Sequence, residues 1–150
     1  MHKFKSFMKE ALLEARKARR REEVPVGAVI VNQYGEVVAK SGNRIRELSD
    51  PTAHAEILTI RQACRQQKSE RLIGHHMYVT LEPCKMCLEA ILKCRITRLY
   101  YGASDTSQGA KCFDNLYNNL CQKGFPLEIY PNISEGESVK LLKEFFGERR

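Results

Sequence analysis

The chain has 150 residues, 43% hydrophobic and 29% charged, a balance expected of a soluble globular protein long enough for a substantial core and one domain over residues 1–150. Its apolar runs, such as Val26 to Val31, are far too short to span a bilayer, and the charged start Met1-His2-Lys3-Phe4-Lys5 has no apolar stretch behind it, so neither a membrane anchor nor a secretory signal is expected. Six cysteines without such a signal favour reduced thiols, a cytoplasmic setting and metal binding over disulfides, and a net charge of +7 is compatible with a polyanionic partner such as RNA.

Phe4 to Arg21 is predicted helical, with Phe4, Phe7, Met8, Ala11, Leu12 and Ala15 forming an apolar stripe. The basic run at its far end (Arg16, Lys17, Arg19, Arg20, Arg21) is expected to be mainly a solvated face, with RNA-backbone contact as the sharper reading. Pro25 to Val31 and Glu36 to Ala39 are predicted to be the two strands of a hairpin turning at Tyr34-Gly35. Ser41-Gly42-Asn43-Arg44 opens a polar loop reaching Asp50-Pro51, and Ala53 to Gln66 is a helix. Met77 to Leu81 is a buried strand, Cys84 to Cys94 a helix and Ile96 to Tyr101 a strand. Phe113 to Leu120 is a short helix and Leu127 to Tyr130 a strand. The last helix starts at Ser134, with Glu137 completing a capping box, and runs through Val139 to Phe146, ending at Gly147. Helices and strands alternating after a hairpin imply an α/β layered domain, with the strands from Met77 onward parallel and the hairpin antiparallel.

The densest chemistry lies in Thr80-Leu81-Glu82-Pro83-Cys84-Lys85-Met86-Cys87. Pro83 suits the first position of a helix, which puts both thiols in the opening turns. At i and i+3 they share a face, and the partial positive charge of a helix N-terminus favours thiolates. Among the four histidines, His2 is terminal, and His75 and His76 follow Gly74 in a turn expected to be exposed. His54 stands apart in Pro51-Thr52-Ala53-His54-Ala55-Glu56, at a helix entry. His54, Cys84 and Cys87 supply three zinc ligands. Cys94 is about two turns past Cys87 and out of reach of the same ion, so the fourth position stays open to water, as in catalytic zinc sites.

Glu56 lies roughly 200° around an ideal helix from His54, so the pair needs the irregular geometry of a helix entry to act together. Two thiolates neutralise Zn²⁺ and leave its water less acidic than an all-histidine site would. A carboxylate beside that water can take its proton directly. Glu56 is therefore assigned as general acid/base and not as a ligand.

The combination His54-x-Glu56 with Pro83-Cys84-x-x-Cys87 matches the signature of zinc-dependent nucleobase deaminases. The sequence resembles the cytidine deaminase superfamily and, more closely, the bacterial tRNA adenosine deaminases that make inosine at the wobble position. The matching stretches are Glu23 to Val29, Asn43-Arg44, Asp50 to Glu56, Tyr78 to Cys87, Tyr101-Gly102-Ala103 with Asp105, and Leu141 to Arg150. The resemblance implies a three-layer α/β/α fold on a mixed five-stranded sheet, one Zn²⁺ per subunit, a homodimer, and a tRNA anticodon stem-loop as partner.

It also implies hydrolytic deamination at C6 of adenine, with Glu56 moving the water proton to N1 and then protonating the leaving ammonia. Asn43 would hydrogen-bond the flipped base and Val26 would form part of an apolar pocket wall. Asp105 would lie beside the preceding ribose, where a carboxylate accepting from a 2′-hydroxyl favours RNA over DNA. Phe145 or Phe146 would stack on an unpaired base while Arg149 and Arg150 meet phosphate. One phenylalanine is expected in the core and the other on RNA, without a choice between them. Residues 106–124 depart from the family pattern. A deaminase of free guanine or cytosine is the alternative.

Overall fold

The computed structural model describes residues 6–105 and 126–148. In chain order the elements are α1 (Met8–Arg20), β1 (Gly27–Val31), β2 (Val37–Gly42), α2 (Ala55–Gln67), β3 (His76–Leu81), α3 (Lys85–Lys93), β4 (Arg98–Ala103), β5 (Glu128–Tyr130) and α4 (Glu135–Glu148). The strands form one sheet in the order β2-β1-β3-β4-β5. β1 is antiparallel to both β2 and β3, whereas β3–β4 and β4–β5 are parallel. This is the expected mixed sheet with an N-terminal hairpin. The helix expected over 113–120 lies outside the described residues.

Strand periodicity separates the two faces. Ala28, Ile30, Met77, Val79, Leu99 and Tyr101 pack against Ala55, Ala63, Leu88 and Ile91 of α2 and α3. The intervening Val29, Val31, Tyr78 and Tyr100 pack against Met8, Ala11, Leu12 and Ala15 of α1 and Leu141 of α4. The result is three layers, helices on both faces of a sheet buried from each side. On the α1/α4 face, register aligns Tyr78, Tyr100 and Tyr130, whose rings stack at 4.4 and 4.9 Å. Gly27 lets α1 lie directly on β1, since a Cβ there would run into the Ala11 carbonyl and the Ala15 amide.

Several expected boundaries move, for local reasons. β2 extends through Ser41 and Gly42, because Ala28 and Gly27 of β1 pair opposite them. α3 starts at Lys85 with Cys84 as its N-cap, so Pro83 sits before the cap and not at the first helical position. The capping box at Ser134 does not form: Ser134 has φ +53°, unlike the extended backbone of an N-cap, and Glu137 turns to Arg16 at 3.4 Å. His75 is buried, not exposed, at 9% accessibility. The basic run at the end of α1 is largely engaged within the fold: Arg16 pairs with Glu137, Lys17 with Glu14, Arg19 with Glu144, and Arg21 donates to the Asn43 carbonyl. Among the described residues no helix is long and apolar enough to cross a membrane.

Candidate active site

Two helix entries on one face of the sheet converge to make the site. His54 is the N-cap of α2 with φ −68° and ψ 152°, and Cys84 is the N-cap of α3 with φ −71° and ψ 174°. Each is extended while its carbonyl already accepts the first helical hydrogen bond, from Leu58 and Leu88 respectively. The extended backbone at His54 removes the angular difficulty of H-x-E spacing on a regular helix. His54 turns toward the cysteines, and Glu56, in the first turn of α2, reaches the same place from inside. Both helix N-termini bring partial positive charge to the thiols.

His54 Nδ1 lies 3.7 Å from Cys84 Sγ and 3.5 Å from Cys87 Sγ, and the three donor atoms all fall within 4.8 Å of one another. Zinc bonded at about 2.3 Å to sulfur and about 2.1 Å to nitrogen, at tetrahedral angles, needs ligand atoms about 3.6 Å apart. The donor set and its spacing fit that ion. Among the described residues no fourth ligand joins the cluster, consistent with three protein ligands and an open position.

The electrostatics couple the donor atoms, with one thiol held as a thiolate and its neighbours holding their protons. A hydrogen bond from Cys87, reinforced by His54, holds the Cys84 thiol down at about 4. Cys87, which donates to Cys84, is buried and faces Glu56, and is pushed up. His54 is raised, chiefly by its hydrogen bond to Cys84. Glu56 is 4% exposed, and burial lifts its carboxyl from 4.5 to about 7. Its side chain is within hydrogen-bonding reach of Cys87, so the carboxyl stands beside the ligand cluster.

The structure brings other expected residues close to this centre. Asn43 is buried, and its Oδ1 accepts from the main-chain N–H of Ala55 at 2.7 Å. That bond satisfies a first-turn amide of α2 and ties Asn43 to the helix carrying Glu56. It also identifies the Oδ1 atom, since the backbone partner is a donor, and leaves the amide nitrogen as the group to donate elsewhere. Val26, 5% exposed, accepts from the Asn43 main-chain N–H at 3.1 Å. Asp105 is half-buried, and its main-chain N–H donates to Glu82 Oε1 at 2.9 Å.

Phe145 is 6% exposed and Phe146 55%, so α4 packs the first and presents the second. Phe146 lines a cavity of about 430 Å³ with Ala103, Ser104 and Lys143, next to the segment bearing Asp105. Arg149 and Arg150 lie outside the described residues. Sequence reasoning left Glu23 and Glu82 without roles, yet both are buried carboxylates binding main-chain amides of neighbouring loops. The available signal was an acid beside an apolar run, in Glu23-Val24-Pro25-Val26 and Leu81-Glu82-Pro83.

A mixed sheet sandwiched by helices, with two histidine- and cysteine-bearing helix entries beside a protonatable glutamate, defines a zinc-dependent deaminase domain. Residues 1–103 match the cytidine and deoxycytidylate deaminase zinc-binding region, and the chain belongs to that family. The tRNA-specific adenosine deaminase of Agrobacterium fabrum is 50% identical over 144 residues, spanning 96% of this chain and 94% of that protein. The tRNA-specific adenosine deaminase of Bacillus subtilis is 40% identical over 146 residues, spanning 96% and 89%. A structure from biochemical and structural studies of A-to-I editing by tRNA:A34 deaminases at the wobble position of transfer RNA superposes with TM-score 0.80 and 48% identity, covering 91% of this chain and 98% of that one. Within the family, these near full-length matches put the chain beside the tRNA-specific adenosine deaminases.

Proposed function

We propose that this protein hydrolyses adenosine to inosine and ammonia at the wobble position of tRNA. The observation that carries the chemistry is Glu56, buried and near neutral in affinity for a proton, against a His54–Cys84–Cys87 cluster at tetrahedral spacing. Those three residues would hold one zinc ion, which supplies Lewis-acid activation of a water. Glu56 takes a proton from that water and delivers it to N1 as the new C6–O bond forms. It then takes the remaining proton from the C6 hydroxyl and delivers it to the amine, which departs as ammonia as the C6–N bond breaks and C6=O forms. Burial holds the Glu56 carboxyl above the range of a solvated glutamate in the metal-free protein, the direction that suits a group that must both accept and release a proton.

The family resemblance supports the remaining roles. Asn43 uses its amide nitrogen on the flipped base while Oδ1 stays on α2. Val26, packed beside it, walls the purine pocket. Asp105 accepts from the 2′-hydroxyl of the preceding nucleotide. Phe146 stacks on an unpaired base, Phe145 supports it at 5.3 Å from the core side, and Arg149 and Arg150 meet anticodon-loop phosphates. The family resemblance supports one deaminase domain over residues 1–150, acting in the cytoplasm as a homodimer that grips each anticodon stem-loop across its interface.

The test compares inosine formation on a tRNA anticodon stem-loop with ammonia release from free guanine and cytosine. Turnover on the stem-loop and none on the free bases is expected. The reverse would replace this reading with that of a free-base deaminase.

A further inference from the structure

We infer that Glu23 is a positioning residue for deamination, fixing the loop that holds Asn43 over the site; the inference rests on the substrate role proposed above for Asn43. Glu23 is 2% exposed. Its two carboxylate oxygens accept separately from the main-chain amides of Arg46 at 3.1 Å and Glu47 at 2.9 Å. These amides belong to the turn over 45–49, which is closed by Leu48 N–H to the Arg44 carbonyl at 3.0 Å and Asp50 N–H to the Ile45 carbonyl at 3.0 Å. The first amides of such a turn have no partner within it. Glu23 supplies one from another part of the chain, as an N-cap side chain does from its own.

A carboxylate suits this place because both oxygens accept. A glutamine would turn one NH₂ group toward an N–H and leave a buried donor unpaired. Glu23 lies three residues past the end of α1 and three before Val26, so it ties the segment leading to Val26 to the turn over 45–49.

The loop in turn fixes Asn43. Arg44 N–H bonds to the Ala53 carbonyl at 3.1 Å, Ala55 N–H to Asn43 Oδ1 at 2.7 Å, and Arg21 donates to the Asn43 carbonyl at 3.1 Å. The segment from Asn43 to Ala55 is therefore a closed loop pinned at its neck by α2 and at its far turn by Glu23. Releasing the far turn leaves the neck but frees the approach of Asn43 to the base. A displacement of about 1 Å at a positioning group can cost about a hundredfold in rate.

The experiment is a single-turnover measurement of inosine formation on the anticodon stem-loop by the zinc-loaded protein and by Glu23→Gln, Asn43→Ala and the double variant. Hydrogen exchange of the 44–49 amides is followed in parallel. Glu23→Gln is expected to lose about 10- to 100-fold in rate, keep its zinc, lose protection at Arg46 and Glu47, and add nothing to the loss already caused by Asn43→Ala. Glu23→Asp, which keeps the charge on a shorter arm, should recover part of both rate and protection, and it carries the same cycle if Glu23→Gln does not fold. Wild-type rate in a variant that has lost amide protection, or losses that multiply in the double variant, would overturn the inference. An inactive wild type would instead refute the function proposed for the site.

Discussion

Replacing Glu56 by glutamine separates catalysis from architecture, because the two side chains have nearly the same shape. Glu56 moves a proton twice in the proposed cycle, and positioned general acid–base groups contribute about 10²- to 10⁴-fold. A loss of about 10⁴-fold is expected, equivalent to about 5 kcal/mol at about 1.36 kcal/mol per decade. The ligand cluster keeps its donors, so zinc stays. The same substitution has an opposite effect on the metal-free protein. The Glu56 carboxyl is raised from 4.5 to about 7 by burial, so the folded state holds its proton more tightly than the unfolded chain. That contribution to stability is complete below pH 4.5 and is lost as pH rises through about 7. The interval at about 1.36 kcal/mol per pH unit costs about 3 kcal/mol by pH 8. Glutamine removes the cost, so metal-free Glu56→Gln should gain over wild type between pH 5 and pH 8 in urea unfolding. Inosine formation on the stem-loop and metal analysis supply the other readouts. Activity within tenfold of wild type, or an advantage in stability that does not grow with pH, would refute the reasoning.

Zinc affinity should fall in acid. Metal binding must displace the proton of Cys87, whose thiol is pushed up by its hydrogen bond to Cys84, so at least one proton leaves per ion. Apparent affinity then falls about tenfold per unit of decreasing pH, and competition with a chromophoric chelator at pH 6 and pH 8 checks it. Phe146→Ala should weaken stem-loop binding by about 1–3 kcal/mol, the usual value of one base–aromatic stack, with little change in Tm. Phe145→Ala, at a buried site, should cost about 3–5 kcal/mol of stability; thermal melts and RNA titrations of both variants distinguish the two roles. Asp105→Asn should relax the preference for RNA, read as the ratio of rates on ribo- and deoxyribo- stem-loops, and an unchanged ratio removes Asp105 from sugar recognition.

Much of the fold was legible because its signals are local. The near-continuous apolar run Ala28-Val29-Ile30-Val31 and the run Met77-Tyr78-Val79 report buried strands, and the stripe Met8, Ala11, Leu12, Ala15 reports a helix. What was misplaced depended on neighbours distant in sequence. Ser41 and Gly42 have turn-forming chemistry, but β1 offers them a strand partner. Ser134 and Glu137 have capping-box spacing, but Arg16 of α1 draws Glu137 away. The cations at the end of α1 could face solvent or RNA on sequence grounds, until α4 brings Glu137 and Glu144 against Arg16 and Arg19.

By itself the sequence singled out the candidate metal donors and the proposed base. His54, Glu56, Cys84 and Cys87 are the residue types that zinc hydrolysis needs, in a motif too specific to arise readily by chance. Tertiary structure decided how they meet. Only when α2 and α3 start side by side on one face of the sheet do His54 and the two thiols come to 3.5 and 3.7 Å, and only burial between those helices brings Glu56 to a proton affinity near neutrality. Tertiary structure also decided which phenylalanine of α4 is presented and what Glu23 holds. Spacing along a chain specifies which groups share a turn, whereas desolvation and contacts between distant segments exist only once the layers have packed.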